Sequence, residues 1–130
     1  MINVKIILIN PQKEIFLSHR DDIPNIEVPN TWSFVGGALE ERESPEEGII
    51  RETKEEIGFD VGDVSLFKKY QDPEIKRYVF VGTIDKEISE LTLTEGDDMN
   101  FFTVEDALKM DISKNTKRYI EDYFSKDSCP

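Results

Sequence analysis

The alternation of apolar and polar residues predicts strands near the start of the chain. Residues 2–9 are rich in Ile and Val, and residues 14–19 form a second apolar run after an Asn-Pro-Gln-Lys turn. Two apolar runs joined by so short a turn are typical of a β-hairpin. Residues 21–30, with two prolines, are expected to form a surface loop. Further strands are predicted at 31–35, 64–70 and 75–84, with a short edge strand at Leu91 and Leu93.

A helix is predicted over residues 44–58. Ser44 is a good N-cap, and Glu47 three residues later completes a capping box. Pro45 occupies the first helical position, where its missing N–H has no cost. Gly58 is placed to end the helix in a left-handed conformation. An apolar stripe recurs every four residues along this helix, at Ile49, Thr53 and Ile57.

The order of these elements indicates the fold class. A last helix is expected over residues 114–124, capped by Ser113. Strands, helix, strands and helix in succession favour an α/β or α+β fold with helices packed on a mixed sheet. At 130 residues the chain is expected to form a single domain, residues 1–130.

Charge and cysteine content exclude several classes of function. Sixteen Lys and Arg against 28 Asp and Glu give a net charge of −12, which disfavours nucleic-acid and polybasic membrane contacts. A phosphorylated small substrate remains possible because a bound divalent metal ion makes the local charge of an acidic site positive. The single cysteine, Cys129, permits neither an internal disulfide nor a multi-cysteine zinc site. Residues 2–9 are too short to span a bilayer, so a reducing cytoplasmic location is expected.

Three glutamates give the predicted helix a chemically distinctive face. Glu52, Glu55 and Glu56 stand at i, i+3 and i+4, so they share one arc of the helix beside the apolar stripe. Gly48 lies on the same arc one turn earlier and leaves room there. Oxygen-seeking cations such as Mg²⁺ or Mn²⁺ would relieve the mutual repulsion of these carboxylates. The alternative is an ordinary solvated face.

The spacing around this helix resembles the Nudix box, G-x5-E-x7-R-E-U-x-E-E-x-G-U. Every fixed Gly, Glu and Arg of that pattern is present between Gly37 and Phe59. Thr53 stands where a bulky aliphatic is usual, and Val35 stands where proline is common. The resemblance implies a MutT-like α/β/α sandwich with a mixed β-sheet. It also implies a divalent metal, Mg²⁺ or Mn²⁺, and hydrolysis of a nucleoside diphosphate linked to another group.

The resemblance also assigns roles to individual residues. It implies that Glu52, Glu55 and Glu56 bind metal together with the carbonyl of Gly36. Arg51 would orient a carboxylate, either Glu55 or Glu43, and Glu43 would support the junction between loop and helix. Some family members take their general base from this helix and others from a later loop. The candidates in that loop are Glu95, with Asp97 and Asp98 as alternatives.

Residues before the box are candidates for contact with a substrate. Trp32 and Phe34 are expected either to line a base pocket or to pack in the core. Arg20 is placed to reach a phosphate, with a plain surface position as the alternative. Gly37 is grouped with these substrate-binding candidates.

The short chain favours a nucleoside triphosphate as substrate, released as monophosphate and pyrophosphate. ADP-ribose, a nucleotide sugar or a dinucleoside polyphosphate is the alternative. A non-catalytic nucleotide-binding module is a second class, although all box glutamates are present. An EF-hand calcium domain is disfavoured because its loop pattern is absent from the sequence. Nucleic acid and membranes are not expected as partners. The sequence leaves the oligomeric state open between a monomer and a homodimer.

Overall fold

The computed structural model describes residues 2–19, 31–94 and 96–124. The predicted loop at 21–30 and the candidates Arg20 and Glu95 lie outside the described residues, as does Cys129. The described strands are β1 (Ile2–Ile9), β2 (Ile15–His19), β3 (Trp32–Ser33), β4 (Val35–Ala38), β5 (Ser65–Gln71), β6 (Lys76–Thr83) and β7 (Asp98–Phe102). The described helices are α1 (Pro45–Ile57), α2 (Val104–Ala107) and α3 (Lys114–Phe124), with a short 3-10 helix at Ile88–Glu90.

Strand β1 is the centre of a mixed sheet. It pairs in parallel with β6 along its whole length, from Ile2 opposite Lys76 to Ile9 opposite Thr83. On its other edge β1 pairs antiparallel with β2 near one end and with β4 near the other. Strands β5, β3 and β7 extend the sheet through antiparallel pairs with β6 or β2. The predicted mixed sheet and the β1–β2 hairpin are confirmed.

The two faces of the sheet are covered by different helices. Because side chains alternate along a strand, β1 supplies Val4, Ile6 and Leu8 to one core and Ile7 to the other. The first core includes Ile49 and Ile57 of α1. The second includes the α3 residues Tyr119 and Ile120. The predicted α/β/α sandwich is therefore confirmed, and no helix in the described ranges is long and apolar enough to cross a membrane.

The capping of α1 follows the predicted pattern. The Ser44 hydroxyl accepts the backbone N–H of Glu47, while the Glu47 carboxylate accepts the backbone N–H of Ser44. Gly58 closes the helix with φ of 69° and donates its N–H to the carbonyl of Lys54. Thr53, the departure from the family pattern, is buried and donates its hydroxyl to the carbonyl of Ile49 at 2.7 Å. An internal hydrogen bond thus removes the cost of that buried hydroxyl.

Two of the predicted strands differ from the structure. The edge strand at Leu91 and Leu93 is wrong, because backbone donors in that stretch cap the end of α1 rather than a strand. Thr92 and Thr94 donate their N–H groups to the carbonyls of Ile57 and Glu56, at 3.0 and 2.9 Å. The single strand predicted at 31–35 is instead two strands, β3 and β4, and β4 continues to Ala38. Helix α2, four residues long and capped by Thr103, was not predicted.

We expect Gly58→Ala to lower the free energy of unfolding by about 1–2 kcal/mol, because a side chain is strained at its positive φ. Gly62→Ala is the matched control: a Cβ there would meet no atom within 4 Å, and its φ is not in the strained region. That change is expected to be neutral or slightly stabilising. Urea titrations of both variants check this, and equal effects would contradict the helix-ending role of Gly58.

Candidate active site

Arg51 lies at the centre of the carboxylates of α1 and of the loop before it. Its Nε and Nη2 donate to the two carboxylate oxygens of Glu43, at 2.6 and 3.0 Å. Its Nη1 donates to Glu55 at 3.1 Å and to Glu52 at 3.3 Å. Nη2 also reaches the carbonyl of Ala38, at 3.3 Å. One guanidinium therefore fixes three glutamates and the end of β4 in one arrangement.

Glu43 links the loop before α1 to the helix through its hydrogen bonds. Besides Arg51, its carboxylate accepts the backbone N–H of Glu40 at 3.0 Å. The hydrogen bonds from these two partners, those of Arg51 foremost, hold the pKa of Glu43 below its usual range. In return, the hydrogen bond from Glu43 raises the pKa of the Arg51 guanidinium. Both groups are therefore charged throughout the physiological pH range.

The glycines around α1 are positions of close approach. A Cβ on Gly37 would lie 2.6 Å from a carboxylate oxygen of Glu52, and one on Gly36 would lie 2.0 Å from the carbonyl oxygen of Val4. A Cβ on Gly48 would lie 2.3 Å from Leu39 and 3.2 Å from Glu43. The absence of a side chain at Gly48 thus makes room for Leu39 and Glu43 in the loop before the helix. The absence of one at Gly37 makes room for the Glu52 carboxylate.

The three glutamates of the arc differ in exposure. Glu56 is 7% exposed, the Glu52 side chain 14% and the Glu55 side chain 57%. The Thr94 hydroxyl donates to the carbonyl of Glu55 at 2.6 Å, so the chain just before position 95 is tied to this end of α1. The arc therefore has an inner part, Glu52 and Glu56, and an outer carboxylate, Glu55.

The donor set of this arc fits a hard divalent cation. Glutamate carboxylates, with the carbonyl of Gly36 in neighbouring β4, would offer oxygen ligands only, which Mg²⁺ and Mn²⁺ prefer. The Glu52 carboxylate lies in the space that a Cβ on Gly37 would fill. In the described ranges, no three His, Cys, Asp or Glu side chains already converge as a metal cluster. Arg51 instead engages two of the glutamates, Glu52 and Glu55.

The structure separates the two aromatic candidates. Phe34 is 2% exposed and packs in the core beneath α3, so the core alternative applies to it. Trp32 is half-buried, with its ring edge-to-face against His19 at 5.2 Å and Phe102 at 5.0 Å. Of the loop acids, Asp97 contacts the His19 ring at 2.7 Å. Trp32 and Asp97 therefore belong to one aromatic and polar cluster at the end of β2.

A cavity of about 340 Å³ opens beside the arc, on the α3 side of the sheet. Gly36, Gly37 and Glu52 form the wall that it shares with the carboxylates. Sequence analysis missed the residues of its other walls because they share no local motif. They come from separate elements and include Asn3, Lys5, Ser33, Arg77 and Tyr119.

Known proteins resemble this chain in sequence and in fold. An RNA pyrophosphohydrolase of Nitratiruptor sp. is 32% identical over 108 residues, covering 82% of this chain and 62% of the relative. Diphosphoinositol polyphosphate phosphohydrolase 3-alpha of Mus musculus is 31% identical over 104 residues, covering 73% and 63%. The chain thus spans less than two-thirds of the length of either relative.

The same fold is found among solved structures. The MutT protein of Methanosarcina mazei Go1 superposes with a TM-score of 0.78 at 23% identity, covering 100% of this chain and 96% of its own. The family model of the NUDIX domain matches residues 1–123. That match includes the whole glycine, arginine and glutamate arrangement described above, so the chain belongs to the Nudix hydrolase family.

Proposed function

We propose that this protein is a metal-dependent hydrolase of a phosphoanhydride bond in a nucleoside diphosphate linked to another group. The observation that carries the proposal is the position of the Arg51-held carboxylates, next to β4 and to a ligand-sized cavity. We take a nucleoside triphosphate, released as monophosphate and pyrophosphate, as the first substrate class. The single cysteine and the net charge of −12 support action on a small substrate in a reducing cytoplasm.

Glu52, Glu55 and Glu56 of α1 would hold Mg²⁺ or Mn²⁺ together with the carbonyl of Gly36 in β4. A bound divalent ion neutralises pyrophosphate charge and lowers the pKa of water. Arg51 orients Glu52 and Glu55 through its hydrogen bonds. Gly37 supports the same arrangement, since any side chain there would displace Glu52.

A carboxylate must accept the proton of the attacking water. We keep Glu55 and Glu56 as the candidates on the helix. Glu55 is the more accessible and is hydrogen-bonded to a residue that stays positively charged. Glu56 is the more buried of the two. Glu95 stays a candidate from the sequence alone.

Other pyrophosphates remain within the same reaction class. The sequence relatives bear the names RNA pyrophosphohydrolase and diphosphoinositol polyphosphate phosphohydrolase, so a triphosphorylated RNA end and a diphosphorylated polyol join ADP-ribose, nucleotide sugars and dinucleoside polyphosphates as alternatives. The net charge of −12 disfavours the RNA end, because long nucleic acid needs a cationic surface. A substrate panel of these compounds, read by phosphate or pyrophosphate release, ranks the candidates.

Metal dependence is the first test of the proposal. We expect hydrolysis of the best panel substrate to vanish in excess EDTA and to return with Mg²⁺ or Mn²⁺. Mg²⁺ should also raise the melting temperature, because it binds the folded cluster and not the unfolded chain. Melting temperatures measured by calorimetry in Mg²⁺ and in NaCl of the same ionic strength distinguish Mg²⁺ binding from general screening of the protein's charges. Undiminished turnover in the chelator would contradict the proposal.

Substitution of Glu56 separates catalysis from stability. We expect Glu56→Gln to lower metal-dependent turnover by about 10²-fold or more, the low end for losing a general base or metal ligand. Glutamine keeps the size of glutamate, and it removes one of several like charges from the helix face, so the metal-free fold should persist. Glu46→Gln, at an exposed position in the first turn of α1, is the matched control and should keep wild-type turnover. Similar turnover in both variants would mean that the arc is not the active site.

A further inference from the structure

The C-terminal end of α1 is held by hydrogen bonds from a distant part of the chain. The last four carbonyls of a helix have no partner within that helix. In α1 these are the carbonyls of residues 54–57, and each of them accepts a hydrogen bond. The carbonyl of Lys54 accepts the N–H of Gly58, whereas the other three accept donors from residues 92–94. We call residues 92–94 the α1 clasp.

Thr94 makes most of the contacts of the α1 clasp. Its hydroxyl donates to the carbonyl of Glu55 at 2.6 Å and lies 3.3 Å from the carbonyl oxygen of Glu56. Its N–H donates to the carbonyl of Glu56 at 2.9 Å, and the N–H of Thr92 donates to that of Ile57 at 3.0 Å. The backbone donors of the clasp thus serve Glu56 and Ile57, and the hydroxyl of Thr94 serves Glu55.

The chain on both sides of the α1 clasp is fixed to the rest of the fold. Leu91, just before it, is buried in the core that includes the end of α1. After it, the N–H of Asp97 donates to the carbonyl of His19 at 3.1 Å. Gly96 has φ of 99°, and a Cβ on it would lie 2.4 Å from the His19 carbonyl oxygen. Thr94 therefore connects α1 to a segment that is itself attached to β2.

The turn of α1 that the clasp holds carries two of the glutamates of the arc. The direction of a helical side chain follows from the backbone of its own turn. Arg51 orients Glu55 through its side chain, and Thr94 fixes the backbone from which Glu55 and Glu56 both project. Groups of a functional site need to be held within about 0.5 Å and 10–20° of their working geometry. A small rotation of this last turn would exceed that tolerance.

We propose that Thr94 is a positioning residue for the metal site. Its hydroxyl holds the last turn of α1 and thereby the carboxylates of Glu55 and Glu56, without itself touching metal or substrate. The proposal rests on the proposed function for the presence of a metal at the arc. An ordinary helix cap would contribute to stability alone, whereas a positioning residue also sets the affinity for the metal.

The test measures Mn²⁺ affinity in the absence of substrate, from the free Mn²⁺ signal in electron paramagnetic resonance. Thr94→Val replaces the hydroxyl with a methyl group of similar size at an exposed position, so it creates no clash. We expect it to weaken Mn²⁺ binding by about tenfold, the low end for partners of metal ligands, because Thr94 acts through the backbone. Thr94→Ser keeps the hydroxyl and should bind Mn²⁺ as the wild type does. Equal affinities in Thr94→Val and the wild type would overturn the proposal.

Thr103→Val is the matched control for the loss of a helix cap. The hydroxyl of Thr103 accepts the N–H of Asp106 at 3.1 Å at the start of α2, a helix that carries none of the proposed ligands. Both valine variants lose one capping hydrogen bond, so both should melt at a lower temperature than the wild type. Only Thr94→Val should weaken Mn²⁺ binding. An equal loss of Mn²⁺ affinity in the two variants would reduce Thr94 to a residue that matters for stability alone.

A double-mutant cycle excludes a route through the neighbouring residue. Glu95 follows Thr94 in the sequence and is itself a candidate base. If Thr94 acts through α1, Thr94→Val should weaken Mn²⁺ binding by the same factor in the wild type and in Glu95→Gln. Disappearance of the effect in the Glu95→Gln background would assign it to Glu95 and overturn the role of the α1 clasp.

The same measurements separate this proposal from the proposed function. Mn²⁺ binding and hydrolysis that are both unchanged in Thr94→Val overturn the positioning role and leave the proposed function standing. Mn²⁺ binding that Thr94→Val weakens, in a protein that hydrolyses no pyrophosphate, supports the positioning role and rejects the proposed function. A wild type that neither binds Mn²⁺ nor hydrolyses any pyrophosphate overturns both.

Discussion

The ion pair between Arg51 and Glu43 is the interaction on which the site depends. Three glutamates on one arc of a helix repel one another, and the single guanidinium among them offsets that repulsion. Its fork is bidentate to Glu43, at 2.6 and 3.0 Å, and both side chains are largely shielded, at 23% and 12% exposure. Such geometry makes the pair stronger than an exposed surface ion pair. Lysine, a single compact charge, could not contact Glu43, Glu52 and Glu55 together.

The second constraint is backbone proximity at the two glycines of β4. Gly36 faces the Val4 carbonyl of β1, and Gly37 faces the Glu52 carboxylate of α1. A side chain at either position would move the strand away from β1 or from α1. Because β1 is also the parallel partner of β6, the site is built on the rigid centre of the sheet. The same strand supplies Asn3 to the neighbouring cavity.

Local signals in the sequence predicted the helix and much of the site. The capping residues of α1 and the period of its glutamates depend on neighbours within four positions, which a sequence displays directly. The pairing of Arg51 with Glu43, eight residues earlier, was one of two options, and the structure shows that the guanidinium contacts Glu43 and Glu55 together. The edge strand at Leu91 was wrong because that stretch bonds to the end of α1, a tertiary preference that its apolar pattern does not reveal.

The cavity could not be predicted from local pattern. Asn3, Ser33, Arg77 and Tyr119 lie on four elements and meet only after the sheet and α3 have assembled. Each has an ordinary explanation in the sequence: a strand residue, or a core tyrosine on an amphipathic helix. For Phe34 the sequence left two alternatives, a base pocket or the core. The structure shows that this aromatic residue is buried in the core and is not available to a ligand.

The central claim is that the Arg51-organised carboxylates of α1 form a metal site. Anomalous diffraction from crystals soaked in Mn²⁺ tests it most directly, because it locates the ion independently of any activity. The account predicts an anomalous peak within ligand distance of Glu52 and Glu56, facing the carbonyl of Gly36. A peak elsewhere, with none at this helix at saturating Mn²⁺, would contradict it.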